Sequence, residues 1–104
     1  MSELFNDLAG QSEQYFTIGG VSFYAAPFTL MEYVLYQNLP SEELADRAEF
    51  LADQLSRRIR GTATKPETIT RDWLMDNLPL PRLPYLETVL LTGKPPKDGG
   101  TGKP

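Results

Sequence analysis

From Gln14 to Ala25 apolar and polar side chains alternate with a period of two, and only Gly19-Gly20 interrupts them. That pattern predicts a β-hairpin closed by a type I′ turn, because both central residues of such a turn need positive φ, which glycine adopts without a Cβ clash. Closing the turn sets Ile18 opposite Val21, Thr17 opposite Ser22, Phe16 opposite Phe23 and Tyr15 opposite Tyr24. One face is then Phe16, Ile18, Val21 and Phe23, and the other is Tyr15, Thr17, Ser22 and Tyr24. A lone hairpin is marginal in water, so the apolar face must rest on the helices that follow.

Beyond Pro27 the period changes to that of a helix. Thr29-Leu30-Met31-Glu32 forms a capping box, with Phe28 and Tyr33 at the staple positions, and predicts a first helix from Leu30 to about Leu39, ended by Pro40. Ser41 reads as the N-cap of a longer helix, Glu42 to Arg60, closed by Gly61. On it Leu44, Ala45, Ala48, Leu51, Ala52, Leu55 and Ile59 fall within an arc of about 120°. Residues 61–67 read as a loop, and Thr70 caps a short helix from Arg71 to Leu78. After Pro79 and Pro81, Pro84 is tolerable only in a first turn. It starts a fourth helix from about Arg82 to Thr92, with Gly93 at C′. The fold class expected is α+β, mostly α: an N-terminal hairpin packed on a small bundle of about four helices, in one globular domain over 14–93. Residues 1–13, with only Leu4, Phe5 and Leu8 to anchor them, form an N-terminal arm. Residues 94–104 bury nothing apolar and are expected to be a disordered tail.

Composition narrows the chemistry. The 104 residues include no Cys and no His, which removes thiol nucleophiles, disulfides, Ser-His and Cys-His pairings and the usual zinc ligands. No catalytic constellation, metal site or cofactor motif is expected. No apolar run approaches a membrane span, and the acidic start Ser2-Glu3-Leu4-Phe5-Asn6-Asp7 is unlike a basic signal peptide, so a cytoplasmic protein with no membrane partner is expected. The chain carries −4. Lys94, Lys97 and Lys103 against Asp98 give the last eleven residues +2, so the rest carries −6 and nucleic acid is disfavoured as a partner.

Several features have a functional and a bland reading. A phosphate loop at Gly19-Gly20 would need a helix directly behind the glycines, where a strand follows instead. Arg57-Arg58-Ile59-Arg60 resembles a nucleic-acid patch, but a helix C-terminus that favours cations explains the same residues. Glu42 and Glu43 point about 100° apart at a helix start, where carboxylates are favoured without a catalytic reason. Trp73 reads as the core anchor of its short helix.

The aromatics stay open. On the first helix Leu30, Met31, Val34, Leu35 and Leu39 share one half of the wheel, whereas Tyr33 and Tyr36 lie on the other. On the second, Phe50 lies about 100° beyond the edge of the apolar arc. Either other elements cover Tyr33, Tyr36 and Phe50, or they form an exposed aromatic patch that binds a protein partner.

The run Phe16-Thr17-Ile18-Gly19-Gly20-Val21-Ser22-Phe23-Tyr24, followed by Pro27-Phe28-Thr29-Leu30-Met31-Glu32, resembles the opening of tail assembly chaperones and small tail proteins of long-tailed bacteriophages. Thr70-Arg71-Asp72-Trp73-Leu74-Met75-Asp76-Asn77-Leu78 and Leu86-Glu87-Thr88-Val89-Leu90-Leu91-Thr92-Gly93 resemble their helical end, so the likeness spans about 15–93. The resemblance implies a non-enzymatic factor in the cytoplasm of an infected bacterium. It would bind the long helical tape-measure protein, keep it soluble during tail assembly, and possess no cofactor. Homo-oligomers are compatible with it. The alternatives are a structural component of a phage tail or particle, or a small non-enzymatic adaptor or antitoxin-like protein.

Overall fold

The computed structural model describes residues 14–95; the expected arm over 1–13 and residues 96–104 of the expected tail lie outside the described residues. The fold is α+β and mostly α. Two antiparallel strands, β1 (Tyr15–Ile18) and β2 (Val21–Tyr24), precede α1 (Leu30–Gln37), α2 (Leu44–Ser56), α3 (Arg71–Asn77) and α4 (Leu83–Thr92), with single 3₁₀ turns at Pro66–Thr68 and Leu80–Arg82.

The hairpin has the register read from the sequence, Ile18 opposite Val21 through Tyr15 opposite Tyr24. Gly19 and Gly20 hold φ of +57° and +83°. Gly19 is needed twice over, because a Cβ there would also come within 2.7 Å of Asn77 Oδ1 at the end of α3. Ile18 and Phe23 enter the core with Leu51, Leu55, Leu74, Leu86 and Leu90, and Phe16 and Val21 pack at its edge. The Phe23 ring is fully buried and meets Trp73 edge-on at 6.2 Å, so Trp73 is the anchor expected of it.

The second helix is shorter than its apolar period suggests. It starts two residues later, with Glu43 as N-cap, while the Ser41 hydroxyl accepts from the Glu43 N–H instead of capping the helix. It ends at Ser56, and residues 58–60 leave it as an extended piece along β2. Ile59 forms an antiparallel bridge with Phe23, Tyr24 N–H donates to the Arg58 carbonyl at 2.7 Å, and Arg60 N–H donates to the Ser22 carbonyl at 2.9 Å. The physical reason is the open edge of β2, whose outward N–H and C=O groups need partners once the hairpin is buried. Gly61, with φ of +88°, therefore turns the chain after this extension and not after a helix.

The remaining caps follow the sequence. Thr29 Oγ1 accepts from Glu32 N–H and Glu32 Oε1 accepts from Thr29 N–H, which completes the capping box. Thr70 Oγ1 accepts from Trp73 N–H, and Gly93 closes α4 in the left-handed conformation. Lys94 and Pro95, assigned by sequence to the tail, continue from that cap, with Lys94 N–H donating to Thr92 Oγ1 and Pro95 half-buried.

Candidate protein-binding surface

The segment between β2 and α1 is fixed at both ends, and this decides how α1 sits. Ala25 N–H donates to the Gln14 carbonyl, and Phe28 N–H donates to the Leu90 carbonyl near the end of α4. Between them, the carbonyls of Ala26 and Pro27 accept from the Arg58 guanidinium, through Nε at 2.7 Å and Nη2 at 3.3 Å. Arg58 Nη1 donates to both the backbone and side-chain oxygens of Gln54. Arg58 is only 7% exposed, so the basic cluster read as a helix C-terminus that favours cations also contributes a cation to the interior. Burial lowers its pKa, and the nearby Glu32 carboxylate opposes that shift.

That buried cation needs a carboxylate, and Glu32 of α1 supplies it: its Oε1 lies 3.6 Å from Arg58 Nη2 and its Oε2 3.7 Å from Arg57 Nη1. One turn later the Tyr36 hydroxyl donates to the Glu87 carboxylate of α4, which Arg47 of α2 approaches to 3.8 Å. Burial, the hydrogen bond to Glu87 and the charge of Glu87 all raise the Tyr36 pKa, with Arg47 acting weakly against them. Around this contact Phe28, Tyr36 and Phe50 form a three-ring cluster, with centroids 5.5, 5.6 and 6.1 Å apart.

The side of α1 that carries Glu32 and Tyr36 therefore faces inward, and its aliphatic half faces outward. Leu30, Met31, Val34 and Leu35 are 80%, 65%, 45% and 51% exposed, and no residue of α1 is buried. This reverses the ordinary placement of an amphipathic helix. The reversal is local, because α2 buries its apolar arc in the usual way through Leu51, Ala52 and Leu55.

The three aromatics singled out by sequence are thereby divided. Tyr36 and Phe50 come together, but in a half-buried cluster within the chain, so they do not form an exposed patch with Tyr33. Phe50 lies off the apolar arc of α2 because α1 packs there. Tyr33 remains exposed at the margin of the aliphatic face. The residues that the sequence reading did not single out are Leu30, Met31, Val34 and Leu35, which it placed together with Leu39 on one half of the helical wheel. The available signal was Glu32 together with an arginine-rich helix end, a pair able to draw the polar side inward.

A second apolar surface lies between α2, α3 and the start of α4. It is a cleft of about 310 Å³ lined by Leu44, Leu51, Leu74, Met75, Leu80 and Leu83, with Arg47 at its margin. Leu44, Met75 and Leu80 are exposed there. Among the described residues no group of three or more His, Cys, Asp or Glu side chains is placed to hold a metal ion, and no helix is long and apolar enough to cross a membrane. Comparison with family models, curated proteins and solved structures returns no match for this chain.

Proposed function

We propose that this protein is a non-catalytic binding module that takes up an amphipathic helix of another protein on the aliphatic face of α1. One observation carries the reading: α1 is anchored through Glu32 and Tyr36, which leaves Leu30, Met31, Val34 and Leu35 displayed to solvent. A contiguous exposed aliphatic stripe on a helix held from behind is a surface for helix–helix contact, with anchors at i, i+1, i+4 and i+5. The charged groups behind the stripe, and the −6 borne by residues 1–93, keep a protein with such a face soluble.

The resemblance to tail assembly chaperones supports a specific partner, the long helical tape-measure protein, and a role in the cytoplasm of an infected bacterium. On that reading the gene stands just before a very long tape-measure gene. Co-expression of the two proteins tests it through the soluble fraction of the tape-measure protein. The wild-type chain should raise that fraction, and Val34→Asp should abolish the gain. Equal solubility with and without the wild-type chain would defeat the chaperone reading.

A further inference from the structure

The two edges of the hairpin have different fates. With Ile18 opposite Val21 across a two-residue turn, the cross-strand bonds join Ile18 to Val21 and Phe16 to Phe23. Tyr15 and Thr17 on β1, like Ser22 and Tyr24 on β2, therefore turn their N–H and C=O groups outward. On β2 the Ser22 carbonyl is taken by Arg60 and the Tyr24 N–H by Arg58. On β1, among the described residues, no backbone group pairs with Tyr15 or Thr17 along the outer edge. Nor does Tyr15–Ile18 carry the lysine or proline that commonly guards such an edge.

That open edge borders a groove. A cleft of about 530 Å³ is lined by Tyr15 through Ile18 of β1 and by Tyr85, Leu86 and Val89 of α4. A strand face offers every second side chain, so four successive residues mean that the edge itself forms the wall. The two walls run in opposite directions. Gly19 lies against Asn77, shortly before α4 begins, whereas Gly93 approaches Pro27 and the Ala25 carbonyl at the other end of the hairpin. Four residues of strand measure about 13 Å and ten of helix about 15 Å, so the walls match in length. Among the described residues that line the groove, Arg82 alone is charged, and it stands at the turn end. At the opposite end the Arg60 guanidinium lies 4.1 Å above the Tyr15 ring.

We propose that this groove takes an extended, acidic segment of another protein as an added strand on β1. The main chain of the segment pairs with the outward groups of Tyr15 and Thr17, and its inward-facing apolar side chains rest on Tyr85, Leu86 and Val89. Carboxylates at its two ends meet Arg82 and Arg60, which fix its position along the edge. The site is separate from the aliphatic face of α1 and does not depend on the reading given for that face.

A capped peptide, Glu-Val-Thr-Val-Thr-Glu, is the probe, added to the whole chain and followed by amide NMR and hydrogen exchange. It should protect the Tyr15 and Thr17 amides and leave those of α1 unmoved. Methylating the amide nitrogens of the four central peptide residues, or replacing both glutamates by lysine, should each weaken binding roughly tenfold. Arg82→Gln should narrow the gap between the glutamate and lysine peptides. Thr17→Pro removes an outward donor but none of the cross-strand bonds, so it should abolish binding in a hairpin of unchanged register. If that variant fails to fold, the methylated peptide and Arg82→Gln decide the matter. The proposal is overturned by unprotected Tyr15 and Thr17 amides at about 1 mM peptide, by equal binding of the methylated peptide, or by shifts confined to α1. A dimer of the free chain that Thr17→Pro abolishes would also overturn it, since the edge would then belong to a second copy.

Discussion

The guanidinium of Arg58 and the carboxylate of Glu32 lie 3.6 Å apart where the end of α2 meets the start of α1, with Arg58 almost wholly buried. Glu32 thereby has two tasks, since the same Oε1 closes the capping box on Thr29. Helix start and helix docking are fixed by one side chain, so α1 cannot rotate its aliphatic half inward without stranding a buried cation.

Removing Arg58 should be among the most damaging single changes. Arg58→Ala leaves the carbonyls of Ala26 and Pro27 and the Gln54 side chain without their donor, and should lower unfolding stability by about 3–5 kcal/mol in urea titration. Glu32→Gln keeps a hydrogen-bonding group of the same shape and should cost about 1–2 kcal/mol. A larger loss for Glu32→Gln than for Arg58→Ala would contradict the arrangement.

The hairpin is a core element. Phe23→Ala should cost about 3 kcal/mol or more, since the ring is fully buried between Phe16 and Trp73. The two glycines should differ. Gly20→Ala meets open space and costs only backbone strain, about 1 kcal/mol, whereas Gly19→Ala must also displace Asn77 and should cost more. Equal losses at the two positions would argue against the contact between the turn and α3.

On α1 and its neighbours, stability and exposure should separate cleanly. Val34→Ser and Leu35→Ser should change unfolding stability by no more than about 0.5 kcal/mol, because water already reaches both side chains. Phe50→Ser should cost about 2–4 kcal/mol by opening the ring cluster with Phe28 and Tyr36. Thermal melts of the three variants decide this, and a melting temperature that drops more for Val34→Ser than for Phe50→Ser would return the aliphatic half of α1 to the core.

Tyr36 should make stability fall at alkaline pH. Its pKa in the folded chain is raised above the ordinary 10.0, so the folded state keeps the phenol proton after the unfolded state has lost it. The contribution is complete below pH 10 and is lost as pH rises through the folded-state value. Unfolding stability measured across that range should decline more steeply for the wild-type chain than for Tyr36→Phe. Parallel profiles would show that burial and Glu87 do not hold the proton as argued.

Much of the fold is local in origin and was legible in the chain. Gly19-Gly20 between two alternating runs determined the hairpin and its register, because the turn requires positive φ and the period of two assigns each side chain to a face. Thr29 with Glu32, Thr70, and Gly93 determined helix ends for the same reason, as a cap is settled within one turn. Tertiary structure decided the rest. The end of α2 yields Ile59 to an open strand edge, although its helical period continues to that residue, because unpaired backbone groups on β2 outweigh one further helical turn. The orientation of α1 likewise contradicts its hydrophobic period. A buried Arg58, invisible as such in Arg57-Arg58-Ile59-Arg60, required the carboxylate of Glu32, and that long-range pairing turned Leu30, Met31, Val34 and Leu35 toward solvent.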